Sequence, residues 1–423
     1  MIAVTGAVKH QGMARYNARR EEARTPMPRL QDFETPLVFK VNDKSSKEPA
    51  DATNDRLTFR VEVRSLEGMQ KEAIVRQPEP PGPTWRMASD EGPYLNGTDL
   101  APFPLAFFAA GLHFCYLSQL ARLCRSRGIA LHGLMSGQDT RYTMTGSALR
   151  GDMTGAGVPV DRNVEIDADI SPEAAGDLVA RALAESPGDA LMRDLFINTF
   201  ALQLNGHAID LTDQPASPHA IFPDPLADFD DIRPTAADQY HTGIISKTET
   251  VEVQHGVTGG AGSSLKAEQK RTLHVRSDAR LIDDHLLQTD IRLFQPLGSS
   301  FRFLSDTGAG HTAPPPLAYL SAGLGFCYMT QLGRYAHITK QRVKSTRIVQ
   351  VNGYTQPGAG GGSAGAAAVD THVYIDADES DDQTRKSVKM GEQTCFLHGS
   401  MREAYPTVMQ AALNGNPLRI PDA

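Results

Sequence analysis

Positive charge and cysteine are both scarce in this chain. Its 423 residues hold 42 lysines and arginines against 50 aspartates and glutamates, a net charge of −8. That balance, with no basic patch beyond the first thirty residues, argues against a nucleic-acid partner. The four cysteines, Cys115, Cys124, Cys327 and Cys395, are too few for a disulfide-stapled secreted scaffold. They fit a cytoplasmic protein whose thiols either fill the core or do chemistry. No apolar run near the N-terminus is long enough for a secretory signal. Residues 1–29, with Lys9, Arg15, Arg19, Arg20, Arg24 and Arg29, read as a loosely docked arm. The most apolar stretch, Pro102 to Leu120, contains His113, Ser118 and Gln119 and has no interfacial anchors. It reads as a buried core helix, and no membrane partner is expected. Cys395 and His398 form a C-x-x-H with no second pair to complete a zinc site. The glycine run from Gly358 lacks a P-loop lysine. No metal or cofactor is therefore expected.

The chain does contain itself twice. PLAFFAAGLHFCYLSQLARLC from Pro104 matches PLAYLSAGLGFCYMTQLGRYA from Pro316 at twelve of twenty-one positions without a gap. Such self-similarity outranks any single motif. Upstream, Leu57–Arg64 aligns with Leu273–Arg280 at an offset of 216, and Arg76, Arg86 and Ser89-Asp90 recur at the same offset. Through the apolar helix the offset is 212, and VEIDADIS from Val164 matches VYIDADES from Val373 at 209. Copy one then spans 30–213 and copy two 240–423, joined by a proline-rich linker, 214–239.

Within a copy, Leu57–Arg64 alternates as a half-buried strand and pairs through a SLEGM turn with Lys71–Arg76. Pro104 opens a long helix, apolar nearly all round, that Gly128 ends. Strands at Thr140–Met144 and Asn163–Ala168 follow. Ser171 caps a second helix, and a third is expected over Asp189–Thr199. The glycine-rich run Gly358–Ala368 is expected to form no packed element. The order of elements predicts an α+β domain, a sheet on long central helices, made twice.

The run SDEGPYLNGTDLAPFPLAFFAAGLHFC, Ser89 to Cys115, resembles the OsmC and Ohr family of osmotically induced and organic-hydroperoxide-resistance proteins. That resemblance extends over both copies. It implies two tandem OsmC-like domains, each a curved, mostly antiparallel sheet on buried central helices, joined as an intramolecular pseudo-dimer. The family's peroxidases use a cysteine on the central helix, matching Cys115 and Cys327, and a second near a later helix, matching Cys395. At the offset of 209, copy one has Ser186 there instead. The family's arginine near the first strand pair best matches Arg64 and Arg280, with Arg60 and Arg276 as rivals. The family's glutamate after the helix-opening proline is replaced by Leu105 and Leu317.

These matches imply a thiol peroxidase with Cys327 and Cys395 as attacking and resolving thiols and copy one partly degenerate. Thiolate attack on a peroxide gives a sulfenic acid that a second thiol condenses to a disulfide. The expected partners are a small apolar hydroperoxide or other hydrophobic molecule and a dithiol reductant such as a lipoyl group. The missing glutamate keeps two alternatives open: a cysteine-dependent hydrolase or isomerase, and a binder of hydrophobic small molecules. Cys124 reads as core, because copy two has Ala336 there, and His113 as a core or cavity side chain.

Overall fold

The computed structural model describes all residues except 1–26, 42–55, 231, 236–242, 252–268, 309–311, 358–360 and 422–423. The basic arm up to residue 26, part of the linker and the start of the glycine-rich run thus lie outside the described residues. Copy one contributes β1 (Val38–Lys40), β2 (Arg56–Ser65), β3 (Lys71–Glu79), β4 (Trp85–Ser89), α1 (Pro104–Ser126), β5 (Leu131–Gly146), β6 (Thr154–Gly157) and β7 (Asp161–Ala168). It continues with α2 (Pro172–Ala184), α3 (Pro187–Arg193), β8 (Thr199–Leu204) and β9 (His207–Ile209). Copy two repeats the series. It has β10 (Ile245–Glu249), β11 (Gln269–Leu281), β12 (Leu286–Gln295), β13 (Ser300–Asp306), α4 (Pro316–Ile338), β14 (Val343–Thr355), β15 (Gly365–Ala366) and β16 (Asp370–Ala377). It ends with α5 (Asp381–Thr394), α6 (Phe396–Arg402), β17 (Val408–Leu413) and β18 (Asn416–Pro417). The protein is α+β, as its pattern predicts.

The two copies are interleaved. One nine-stranded sheet runs β1-β4-β3-β2-β14-β16-β8-β9 with β15 beside β14; the other runs β10-β13-β12-β11-β5-β7-β17-β18 with β6 beside β5. Each sheet therefore takes its first four strands and its last two from one copy, and its middle from the other. Long antiparallel ladders make the exchange: Arg56–Arg64 on β2 against Arg347–Thr355 on β14, and Gln269–Arg280 on β11 against Met135–Gly146 on β5. The parallel pairs are β16 with β8 and β7 with β17.

Between the sheets lie α1 and α4. Proline at the first position starts each, with its absent N–H costing no hydrogen bond. Gly128, at φ 68, follows the first. α1 is long and apolar enough to cross a membrane by composition, but 94% of its apolar window is buried within the fold. Its side chains from Pro104 to Leu117 are all buried, each large one contributing about 1.5–3 kcal/mol. The helices touch backbone to backbone at Gly111 and Gly323. A Cβ on Gly111 would lie 2.3 Å from the Leu320 nitrogen, and one on Gly323 2.6 Å from that of Phe108.

Two expectations change. The third helix is shorter and earlier, Pro187–Arg193, capped by Ser186, whose Oγ accepts from the Asp189 N–H (3.3 Å). Thr199 instead opens β8, because the β16 edge offers Phe200–Leu204 a parallel ladder. The glycine-rich run also supplies β15, since pairing Gly365–Ala366 with the end of β14 needs backbone only.

Candidate active site

Cys395 sits at the junction of two helices, the last residue of α5's cap and the first of α6's. That junction presses it against Cys327 on α4, with the sulfurs 3.4 Å apart and both thiols free and buried. Closing a disulfide, whose S–S bond is about 2.05 Å, needs only a small further approach. His398, one turn into α6, brings Nδ1 to 3.2 Å from the Cys395 sulfur. Its ring packs against Tyr328 and Phe200, and its Nε2 is buried without a hydrogen-bond partner.

The two sulfurs are electrostatically unequal. Burial pushes the Cys395 thiol up, but the Cys327 hydrogen bond and the His398 ring outweigh it and hold Cys395 well below its usual range. Cys327 moves the other way, pushed well up by burial and by the hydrogen bond and charge of Cys395. The contact thus pushes the two thiols apart, Cys395 toward its charged form and Cys327 toward its neutral one.

Cys327 also feels a charged cluster drawn from both copies. Copy one supplies Lys71 at the start of β3 and Glu91 and Tyr94 after β4. Copy two supplies Thr330 and Arg334 on α4 and Arg271 on β11. Glu91 accepts from the Thr330 hydroxyl (3.0 Å) and from the Tyr94 hydroxyl (2.9 Å). Burial pushes its carboxyl up, opposed by Lys71. Lys71 donates to the Met69 carbonyl (2.7 Å) and is itself pushed down by burial. Arg334 donates to Gln331 (2.8 Å). Arg271 is buried with none of its three guanidinium nitrogens hydrogen-bonded, and burial and the Arg334 charge push it down to about 9. Lys71 and Arg334 feel the Cys327 charge, while Glu91 pushes the Cys327 thiol further up.

Copy one keeps the helix cysteine and changes its neighbours. Cys115 accepts from the Gly188 N–H (3.3 Å) and is pushed up to about 11, by burial first. Ser186 stands where Cys395 does, and Asp189 where His398 does. Asp189 is committed to the fully buried Arg162 (3.0 Å) and to the Thr407 hydroxyl (2.6 Å). Arg162 also grips Gln138 (2.6 Å) and lies over the Tyr116 ring. Cys115 lines a cavity of about 270 Å³ with Ser118, Arg122, Thr307, Leu317 and Gln356.

Arg64 and Arg280 are not brought to the cysteines. On β2, Val61 and Val63 face α4, where they would meet a Cβ on Gly325. Strand alternation therefore turns Arg60 and Arg64 to the outer face. There Arg64 pairs with Glu72 (2.6 Å) and stacks over Phe229. On β11, Ser277 faces α1 through His113, so Arg276 and Arg280 also point outward, into a groove with Gln288. Arg271 has the inward parity and is the strand arginine on the cysteine side. Leu105 and Leu317 are buried, and the carboxylate near Cys327 is Glu91 of the other copy. His113 is a satisfied core histidine between Ser277 (2.9 Å) and Ser136 (2.8 Å). Cys124 is buried, its thiol pushed up by burial. Among the described residues no group of His, Cys, Asp and Glu forms a metal site.

His398, read from the sequence only as half of an incomplete metal motif, instead partners Cys395: a histidine three positions after a cysteine that caps a helix lies over that cysteine. Lys71, Glu91 and Tyr94 left no readable signal, because only the interleaving of the copies carries them to Cys327.

Residues 308–409, which hold α4, Cys327, Cys395 and His398, match the family model described as OsmC-like protein. Among solved structures, an OsmC-like hydroperoxide resistance protein from Jannaschia sp. CCS1 aligns at 19% identity, over 34% of this chain and 96% of that one, with a TM-score of 0.24. No curated protein matches. Residues 308–409 are thus similar to an OsmC-like domain.

Proposed function

We propose that the protein is a thiol-dependent peroxidase that reduces organic hydroperoxides through Cys327 and Cys395, with copy one partly degenerate. The carrying observation is the 3.4 Å approach of two free sulfurs, one of them beside an imidazole. Cys327 attacks the distal peroxide oxygen while its proton passes to the Cys395 sulfur. The S–O bond forms, the O–O bond breaks, and the alkoxide leaves as the alcohol after taking up a proton. His398 then holds the Cys395 proton as that sulfur attacks the sulfenic acid, giving the disulfide and water. Two thiols are oxidised and one hydroperoxide is reduced. A dithiol reductant reopens the pair. The aromatic rings packed near the pair, Tyr142 against Phe396 and Tyr328 against His398, suit an apolar hydroperoxide. The test is turnover of cumene hydroperoxide with a dithiol. No turnover by the native protein, or full turnover after Cys327→Ser, overturns the proposal.

The Cys395–His398 contact also favours a second reading, a cysteine-dependent hydrolase or isomerase. It requires Cys395 to be trapped by an electrophilic ester in a protein indifferent to peroxide.

A further inference from the structure

The outer faces of the two sheets are alike in sequence but not in cover. On the first sheet the segment from Ser217 to Asp230 lies over β2, β14 and β16 as a strap. Phe222 stacks on His372 (4.1 Å between centroids) and lies under Arg60 (4.9 Å). Its carbonyl accepts from the Tyr374 hydroxyl (2.7 Å). Asp224 accepts from Arg347 (3.0 Å), and Phe229 sits against Arg64 (4.7 Å).

Strand register carries each of these anchors onto the second sheet. Arg64 pairs with Arg347 as Arg280 pairs with Met135, and Arg347 pairs with Tyr374 as Met135 pairs with Glu165. Arg60 corresponds to Arg276 and His372 to Asn163. All five counterparts line one open groove of about 310 Å³. No described segment covers it, and Met135 is 54% exposed on it. The two arginines that hold the strap's aromatic rings are kept. The residues around Asp224 are changed: Arg347 becomes Met135 and Tyr374 becomes Glu165. The twin groove thus keeps the two arginine platforms for aromatic rings, has Asn163 in place of the stacking His372, and reverses the charge between the rings.

We propose that this groove docks an extended peptide segment of a partner protein, with aromatic side chains spaced as Phe222 and Phe229 are and a basic residue in place of Asp224. The strap is the template for the pose. The rings lie against Arg276 and Arg280, and the cation faces Glu165. The reversed charge also keeps the chain's own strap off the second sheet.

The test uses the full chain and two labelled peptides of the sequence 217–232, one native and one with Asp224→Lys, read by fluorescence anisotropy at low salt. The lysine peptide is expected to bind about fivefold tighter or more, the scale of one exposed ion pair with its like-charge alternative removed. Met135→Arg, which restores the first sheet's residue, is expected to reverse that preference. Arg276→Ala is expected to weaken both peptides with the melting curve retained. Saturable binding by neither peptide at millimolar concentration overturns the proposal. So does a preference that Met135→Arg leaves unchanged.

Discussion

Ser186 and Cys395 occupy the same place in the fold, 209 residues apart, each the residue before a seven-residue helix and each beside the helix cysteine of its own copy. Where one copy has two sulfurs in contact, the other has a sulfur and a hydroxyl. Ser186→Cys is therefore expected to create a second pair, Cys115 with the new thiol. Peptide mapping after mild oxidation should show two disulfides in this variant and one in the native protein.

His398 favours the charged form of Cys395, so its removal must raise that thiol's pKa. The rate of Cys395 alkylation against pH is expected to shift its midpoint upward by about one unit or more in His398→Ala, the scale on which one close partner shifts a thiol. Cys115, pushed up to about 11, should stay unlabelled through the neutral range in both proteins.

The fold of one copy is legible in the sequence because local signals agree there. Pro104 and Pro316, the alternation of Leu57–Arg64 and the serine at 171 each fix an element without help from elsewhere. The repeat placed both helix cysteines and Ser186 correctly opposite Cys395. The arginines were misplaced for a local reason: Arg64 and Arg280 align well but have the outward parity of their strands, and Arg271 the inward one. Glu91 was beyond reach for a global reason. It sits 236 residues from Cys327 in sequence, and only the ladders between β2 and β14 and between β11 and β5 bring the copies close enough for it to act there.

The crossing of α1 and α4 gives a stability prediction. A methyl group on Gly323 would lie 2.6 Å from backbone, which has no rotamer to yield. Gly323→Ala is expected to cost about 1–3 kcal/mol, seen as a lowered midpoint in chemical denaturation. Gly333→Ala, with nothing within 4 Å, is the matched control and should be neutral or slightly stabilising.

Asp189 balances Arg162, whose side chain is fully buried. Asp189→Ala leaves that guanidinium without its carboxylate and is expected to cost about 3–5 kcal/mol. Denaturant titration of this variant, with the Cys327–Cys395 pair assayed alongside, separates the structural role of copy one from redox work. Stability should fall while oxidation of the pair in the folded fraction stays intact.

The most direct measurement is mass-spectrometric mapping of the thiols after one equivalent of cumene hydroperoxide. A Cys327–Cys395 disulfide with Cys115 and Cys124 still reduced is the expected result. Oxidation that reaches Cys115 first, or leaves all four cysteines reduced, would contradict the assignment of the redox site to copy two.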